Sequence, residues 1–391
     1  METTPRFGIE EEYLLTDLAT RQMLAEPSAD LLAECHEAVG QGFAYEMFQG
    51  QVEVASPIFV TADQATDFLR GVRSRLNHML AGHGLGLLCA GTHPLARWRD
   101  QRATQQPHFD QLFSEYQSVA QRSVLCGLHV HVEIPQGIDR VAVMNEVAPW
   151  LPLLLLLSCS SPFWEGADSG FMSYRQVVCD GWPRMGVPEY FEDEREYQRY
   201  LALLRRMGAI ENGGNGWWGI RPATRYPTLE LRITDACPRV EDSVLLATMF
   251  RVMVAFAISS ANPGARYDST ARWLLKENHW QAKRYGVEGR FVTDAQGDVI
   301  DAGRWLEQAR SRFASTAERM GEARVFDHAQ ALLFTGNSAS RQRACYEQAG
   351  IQQTDQPRRL QQVVDLLLQE SRGATPERRS REKNDIGEVS H

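Results

Sequence analysis

Apolar and polar residues alternate with a period of two over several short stretches, the signature of a strand with one buried face. In residues 6–15, Phe7, Ile9, Tyr13 and Leu15 fall on one face, while Glu10 and Glu12 share the other. Residues 124–134 set Cys126, Leu128, Val130, Val132 and Ile134 against Gly127, His129, His131 and Glu133. Residues 228–235 set Leu229, Leu231 and Ile233 against Thr228, Glu230, Arg232 and Thr234. Residues 45–55 also read as extended, and 85–90 as a short buried strand closed by the turn Gly91-Thr92-His93-Pro94.

Helical periodicity fills much of the remainder. Residues 28–38 have capping and helical character, and residues 61–82 carry Phe68, Val72, Leu76 and Leu80 at helical spacing with Gly82 to close the helix. The apolar run 147–157 reads as a core helix entered through Pro149 and Pro152, and ending at Ser160-Ser161-Pro162. Residues 192–207 form a charged amphipathic helix, 241–260 a long buried one, and the chain to about residue 370 is mainly helical. Residues 211–216, which include Gly213, Gly214 and Asn215, read as a flexible connection. Residues 372–391 are charged and poor in apolar residues, which predicts a disordered tail. Strands and helices mix without regular βαβ alternation, so the fold class is α+β with a mainly antiparallel sheet. Without a repeat or a clean linker, residues 1–371 read as a single catalytic-type domain with a helical C-terminal portion.

Composition narrows the function. The chain has 391 residues, 43% hydrophobic and 23% charged, the profile of a soluble globular protein. Its net charge of −9 argues against broad contact with nucleic acid or an anionic membrane. The longest apolar run is too short to span a bilayer, and the polar, acidic opening is no signal peptide. Seven scattered cysteines without a C-x-x-C pair fit reduced thiols in a cytoplasm, and nothing argues against a homo-oligomer. All basic residues are arginine except Lys276, Lys283 and Lys383, and no G-x-x-x-x-G-K-[ST] occurs. Phosphate handling would therefore fall to arginine and metal.

Three strand faces carry groups suited to that chemistry: Glu10 with Glu12, His129 with His131, and Glu230 with Arg232. Residues two apart on a strand lie on one face about 6.5–7 Å apart, a spacing that suits neighbouring cations. Singly, each pair has an ordinary alternative: a solvated strand face, a structural histidine pair, or a surface ion-pair ladder. Together they could converge in one concave site. Glu46 and Glu53 are seven apart and fall on opposite faces of an ideal strand, unless Gly50 marks a bulge that turns them the same way. A set rich in carboxylates with few imidazoles suits Mg²⁺ or Mn²⁺ better than zinc. Arg221, Arg225, Arg232 and Arg239 crowd the Glu230 segment, and carboxylates, divalent cations and guanidinium groups are what phosphoryl transfer requires. No G-x-S-x-G nucleophile elbow is present, Cys126 points to an apolar face, Cys237 lies near a candidate strand, and His93 reads as a turn residue.

Several motifs resemble those of the bacterial type-2 glutamate–cysteine ligase-like carboxylate–amine ligases, within the glutamine synthetase and glutamate–cysteine ligase superfamily. They are Phe7-Gly8-Ile9-Glu10-Glu11-Glu12, Gln51-Val52-Glu53-Val54-Ala55-Ser56-Pro57, Gly91-Thr92-His93-Pro94 and Cys126-Gly127-Leu128-His129-Val130-His131-Val132. Ser161-Pro162-Phe163-Trp164, Trp218-Gly219-Ile220-Arg221-Pro222 and Thr228-Leu229-Glu230-Leu231-Arg232-Ile233 complete the series in family order. The resemblance implies a curved antiparallel sheet forming a funnel-like active site flanked by helices. It implies that Glu10, Glu12, Glu46, Glu53, His129 and Glu230 hold Mg²⁺ (or Mn²⁺), and that Arg221 and Arg232 contact phosphate catalytically, with Arg225 beside them for ATP. The implied reaction phosphorylates a carboxylate such as that of glutamate with ATP. An amine such as that of cysteine then displaces phosphate. Two other readings stay open on the residues: a metal-dependent hydrolase centred on His129, His131 and Glu133, and a non-catalytic ATP or amino-acid binding protein.

Overall fold

The computed structural model describes residues 4–210, 216–260, 269–294, 296–352 and 355–373. The first alternating stretch forms β1 (Phe7–Asp17), an interior strand of a seven-stranded antiparallel sheet. The other strands of the sheet are β2 (Phe43–Tyr45), β3 (Gln51–Ala55), β4 (Leu85–Leu88), β5 (Leu128–Glu133), β6 (Ile220–Pro222) and β7 (Thr228–Leu231). The order is β6-β7-β5-β1-β3-β2, and β4 pairs the last part of β1. Glu10 faces Ala55 on one edge and His129 on the other, so β1 is held from both sides. The α+β class with an antiparallel sheet is the one expected from the alternation.

Burial explains why these stretches settle as strands. Phe7, Ile9, Leu128, Val130, Val132, Leu229 and Leu231 are all at most 2% exposed, in one cluster with the helices Leu151–Ser158 and Val240–Ser259. Each such side chain contributes about 1.5–3 kcal/mol by leaving water. Tyr13, Leu14 and Leu15 enter a second cluster with Val72, Leu76 and Leu80 of the helix Ala62–Gly82. That helix opens with a capping box in which Thr61 and Gln64 satisfy each other's backbone N–H groups. Pro149 and Pro152 sit in the first turns of the helical segments they open, where a missing N–H costs nothing. Two helical stretches, Arg140–Ser158 and Val240–Ser259, are long and apolar enough to cross a membrane, but they are 78% and 72% buried inside the protein.

Three features depart from the sequence pattern. Residues 45–55 are not one extended run: β2 and β3 form a hairpin, and Gly50 lies in the connection rather than in a bulge. A Cβ on Gly50 would stand 1.9 Å from the Leu24 carbonyl oxygen, so close backbone approach explains the glycine. β5 begins at Leu128, not near residue 124, and Gly127 bridges Asp235 across the gap. Third, β1 carries a carboxylate on its core face. Glu11 is 1% exposed and bound to the fully buried Arg73, with Nη2–Oε1 at 2.6 Å and Nε–Oε2 at 3.0 Å. Most of the 211–216 connection and nearly all of the expected tail lie outside the described residues.

Candidate active site

The sheet register assembles the site. Directly opposed residues of antiparallel strands share a face. Glu12 opposes Glu53, Glu10 opposes His129, His131 opposes Glu230, and Glu230 opposes Arg221. Five strands thus deliver seven polar side chains to one face, while their neighbours fill the core behind. Glu46 joins from the β2–β3 connection and lines the same cavity as Glu53, close enough for each to act on the other's charge. The hairpin, rather than a bulge, brings these two carboxylates together.

The groups are close enough to share ions. Ligand atoms of Glu10, His129 and Glu230 lie within 4.8 Å of one another, and so do those of Glu12, Glu53 and His129. His129 Nδ1 is 3.4 Å from Glu10, and its Nε2 is 3.7 Å from Glu12. His131 Nε2 is 3.4 Å from Glu10, while its Nδ1 meets the Thr228 hydroxyl at 3.0 Å. One imidazole shared between two carboxylate sets matches hard, oxygen-preferring Mg²⁺ or Mn²⁺, and it lacks the compact histidine cluster of a zinc site. On its donor chemistry the site fits such ions.

The local field separates the acids into two kinds. Burial opposes charge on Glu10, but hydrogen bonds from His129 and His131 outweigh it and hold the carboxyl well below its ordinary range. Burial likewise opposes charge on Glu230, yet Arg232 and Arg221 keep it ionised. Arg221 Nε donates to Glu230 at 2.8 Å, and Arg232 Nη1 binds the other oxygen. Elsewhere burial wins. It pushes Glu46 up to about 7, with Glu12 adding repulsion, and it also raises Glu53 well above the ordinary carboxylate range, with help from Glu46 and Glu10. Burial also raises Glu12, and it drives His129 down to about 4, aided by Arg232. The result is a cluster in which Glu10 and Glu230 carry their charge while burial opposes charge on Glu12, Glu46 and Glu53.

A cavity of about 280 Å³ opens over this face, lined by Glu10, Glu12, Glu46, Glu53, His129 and Arg232. Its other walls include residues that carried no motif in the sequence: Arg175, Trp182 and Trp217. Arg175 belongs to the short helix Tyr174–Cys179 and donates to the carbonyls of Arg232 and Ile233 at 3.2 and 3.4 Å. Asp235 organises that helix, accepting from the Ser161 and Ser173 hydroxyls at 2.7 and 2.8 Å. A lone arginine and serine in a mostly apolar stretch (residues 171–179) is the one sequence cue for this wall.

Not every candidate arrives. Arg225 is exposed in the β6–β7 turn and lines a different surface hollow with Arg140 and Tyr226. Arg239 precedes the helix Val240–Ser259 and pairs with Glu370. Glu133 is bound by Arg6 at 2.7 Å near the end of the sheet. Cys126 is buried, accepting from Gln51 at 3.4 Å, and burial pushes its thiol up, as it does for Cys237. His93 does serve its turn: its Nδ1 accepts from the backbone N–H groups of Leu95 and Ala96 at 3.1 and 3.2 Å.

Known proteins share both sequence and fold. A Pseudomonas fluorescens protein provisionally named glutamate–cysteine ligase 2 is 56% identical over 370 residues, covering 95% of each chain. An Ectopseudomonas mendocina protein with the same provisional name is 44% identical over 94% of this chain and 97% of its own. The fold resembles that of the glutamate–cysteine ligase of Francisella tularensis, solved in complex with AMP: TM-score 0.66, 11% identity, 94% of this chain and 89% of that one. It also resembles a bifunctional glutathione synthetase from Pasteurella multocida, with TM-score 0.70 and 14% identity over 94% of this chain and 52% of that one. The family model of glutamate–cysteine ligase family 2 matches residues 6–382, and with relatives this similar the conclusion is direct: the chain belongs to that family.

Proposed function

We propose that this protein is an ATP- and Mg²⁺-dependent carboxylate–amine ligase that activates the γ-carboxylate of glutamate. Cysteine is the acceptor that the relatives' names indicate. The observation that carries the reading is the row of opposed residues from Arg221 through Glu230 and His131 to Glu10, His129, Glu12 and Glu53. It sets carboxylates and imidazoles beside guanidinium groups on one sheet face, a donor set that supports the reading. Family membership and fold likeness support it. Residues 1–371 would act as one catalytic unit, and the free thiols, all buried except the half-buried Cys345, suit a cytoplasmic setting.

A carboxylate is a poor electrophile, so its oxygen first attacks the γ-phosphorus of ATP and ADP leaves. The amine nitrogen then attacks the acyl carbon, and phosphate departs with the bonding electrons. Divalent cations held by Glu10, Glu12, Glu46, Glu53, His129 and Glu230 would neutralise the triphosphate. Arg232 and Arg221 place fixed positive charge where the transferring phosphoryl group gathers negative charge, without reorganisation at the moment of reaction. Glu230 holds both guanidinium groups in that position. Purified protein with MgATP should release ADP and phosphate only when glutamate and an amine acceptor are both present. Release without acceptor at an equal rate, or none across a broad amino-acid panel, would sink the ligase reading.

The raised carboxyls have a measurable consequence. Burial raises all three carboxyls, Glu46 to about 7, so a cation binding there would displace protons and low pH opposes it. His129, pushed down to about 4, is already neutral above pH 5 and does not compete. Mg²⁺ affinity should therefore climb between pH 5 and 8, by about tenfold per pH unit for each proton displaced. Titration calorimetry at pH 6 and 8 in buffers of different ionisation enthalpy reads both affinity and proton release; equal affinities would contradict the assignment.

The hydrolase alternative loses support because Glu133 is committed to Arg6 and stands outside both ligand sets.

A further inference from the structure

We propose that Arg175 receives an oxyanion of the substrates in the cavity over the sheet face, and that the buried Asp235 is the positioning residue that aims it. The inference rests on the ligase reading above and deepens it, assigning two charged side chains which that reading leaves unused.

Arg175 is a buried cation with donors to spare. It is 6% exposed, yet among the described residues its one carboxylate within ion-pair distance is Asp235, at 3.9 Å. Its hydrogen bonds, at 3.2 and 3.4 Å, both go to backbone carbonyls. Two other buried arginines show the usual arrangement. Arg73 forks onto Glu11 at 2.6 and 3.0 Å, and Arg251, 1% exposed, reaches Glu322 at 3.1 Å. A guanidinium carries five N–H donors, and a buried charge is costly unless close partners meet it. Arg175 lines the cavity, so the missing partner would arrive from there.

The charges around the cavity ask for the same thing. Glu10, Glu12, Glu46 and Glu53 repel an anion, while Arg175 and Arg232 supply the guanidinium groups of the lining. The reactants bring a triphosphate and amino-acid carboxylates, more oxyanions than Arg232 alone can meet. Gly127 shows where the second guanidinium lies. A Cβ at that position would collide with Arg175 Nη2 and stand 2.9 Å from His129 Nε2. The missing side chain lets Arg175 reach the sheet backbone beside the set Glu12, Glu53 and His129.

Asp235 is fully buried and outside the cavity lining, so it acts through its neighbours. Its Oδ2 accepts from the Ser160 N–H at 3.0 Å and the Ser161 hydroxyl at 2.7 Å, and its Oδ1 from the Ser173 hydroxyl at 2.8 Å. Ser173 caps the helix Tyr174–Cys179, and Ser161 Oγ accepts the backbone N–H of Arg175 itself at 3.1 Å. One carboxylate therefore pins the first turn of that helix at two points. Asparagine has the same shape but a single accepting oxygen, so it cannot serve all three donors at once.

The experiment measures KM for L-glutamate, L-cysteine and ATP, with calorimetric titrations of L-glutamate and MgADP and a thermal melt of each variant. Arg175→Ala should raise at least one KM about tenfold or more and weaken the matching titration. A rise for an amino acid identifies its carboxylate as the oxyanion, and a rise for ATP identifies a phosphate. Arg175→Lys should recover part of the loss, and it reads the same KM if the alanine variant does not fold. Asp235→Asn should raise that same KM about threefold. In the Arg175→Ala background it should add less than about twofold, because its effect passes through the absent guanidinium. An equal factor in both backgrounds would make Asp235 merely structural and overturn its positioning role. Unchanged KM values and titrations in a folded Arg175 variant would overturn the oxyanion contact. If no acceptor supports ADP release, the ligase reading falls by itself, and the two titrations still decide whether Arg175 takes an oxyanion.

Discussion

Alanine at position 232 is expected to lower kcat/KM for ADP release by at least about 10³-fold while the protein stays folded. Arg232 spends one guanidinium nitrogen on Glu230, and its Nε is buried without a partner among the described residues. That donor sits where the carboxylates of Glu12 and Glu10 are near enough to act on the arginine's own charge. A transferring phosphoryl group placed there would gain a rigid, charged donor, the kind of contact whose loss costs a rate factor of this size. Arg221 continues to hold Glu230, so the sheet does not acquire an unpaired buried carboxylate. Arg232→Lys keeps the charge but not the planar fork, and about 10²-fold of the loss should remain. A coupled ADP assay run beside a thermal melt separates activity from folding. A loss below tenfold with an unchanged melt would take Arg232 out of the phosphate contact.

The second large effect falls on stability, not turnover. Glu11→Ala or Arg73→Ala should each destabilise the fold by about 3–5 kcal/mol, since either leaves an uncompensated charge in the core. The pair joins β1 to the helix Ala62–Gly82, with the Tyr13 and Ser243 hydroxyls each donating to Glu11 at 2.5 Å. Arg73 also donates to the Cys237 carbonyl at 2.9 Å, tying in the chain before the helix Val240–Ser259. A double variant, Glu11→Leu with Arg73→Met, removes both charges and keeps the volume, so it should lose less than either alanine variant. Urea denaturation midpoints at constant slope decide the matter. If the double variant lost as much as the two singles combined, the charges would be acting independently.

The same pair shows where the sequence stops being legible. Alternation assigned Phe7, Ile9, Tyr13 and Leu15 to the core, and all four are there. Position 11 has the same parity, but a carboxylate cannot be counted as core until its partner is known, and Arg73 lies 62 residues away. Glu10, Glu12, His129 and Glu230 were readable because local alternation alone decides their face. Glu46 was placed on less: its meeting with Glu53 depends on a hairpin whose tight glycine is explained by the carbonyl of Leu24. Arg225 and Arg239 illustrate the converse. Nearness in sequence to Glu230 put them in the candidate set, yet a turn points one away and Glu370 claims the other. Arg175, Trp182 and Trp217 reach the site through tertiary packing, which no period in the chain encodes.

The acids of this face are anchored unequally. Glu10 and Glu12 ride on a strand clamped along both edges, whereas Glu46 hangs on a connection between two short strands at the sheet's margin. When the cluster ionises without cations, the mutual repulsion will be relieved where the backbone yields most easily. The outer hairpin is thus the part of this face with the least backbone support, and the central strand the part with the most.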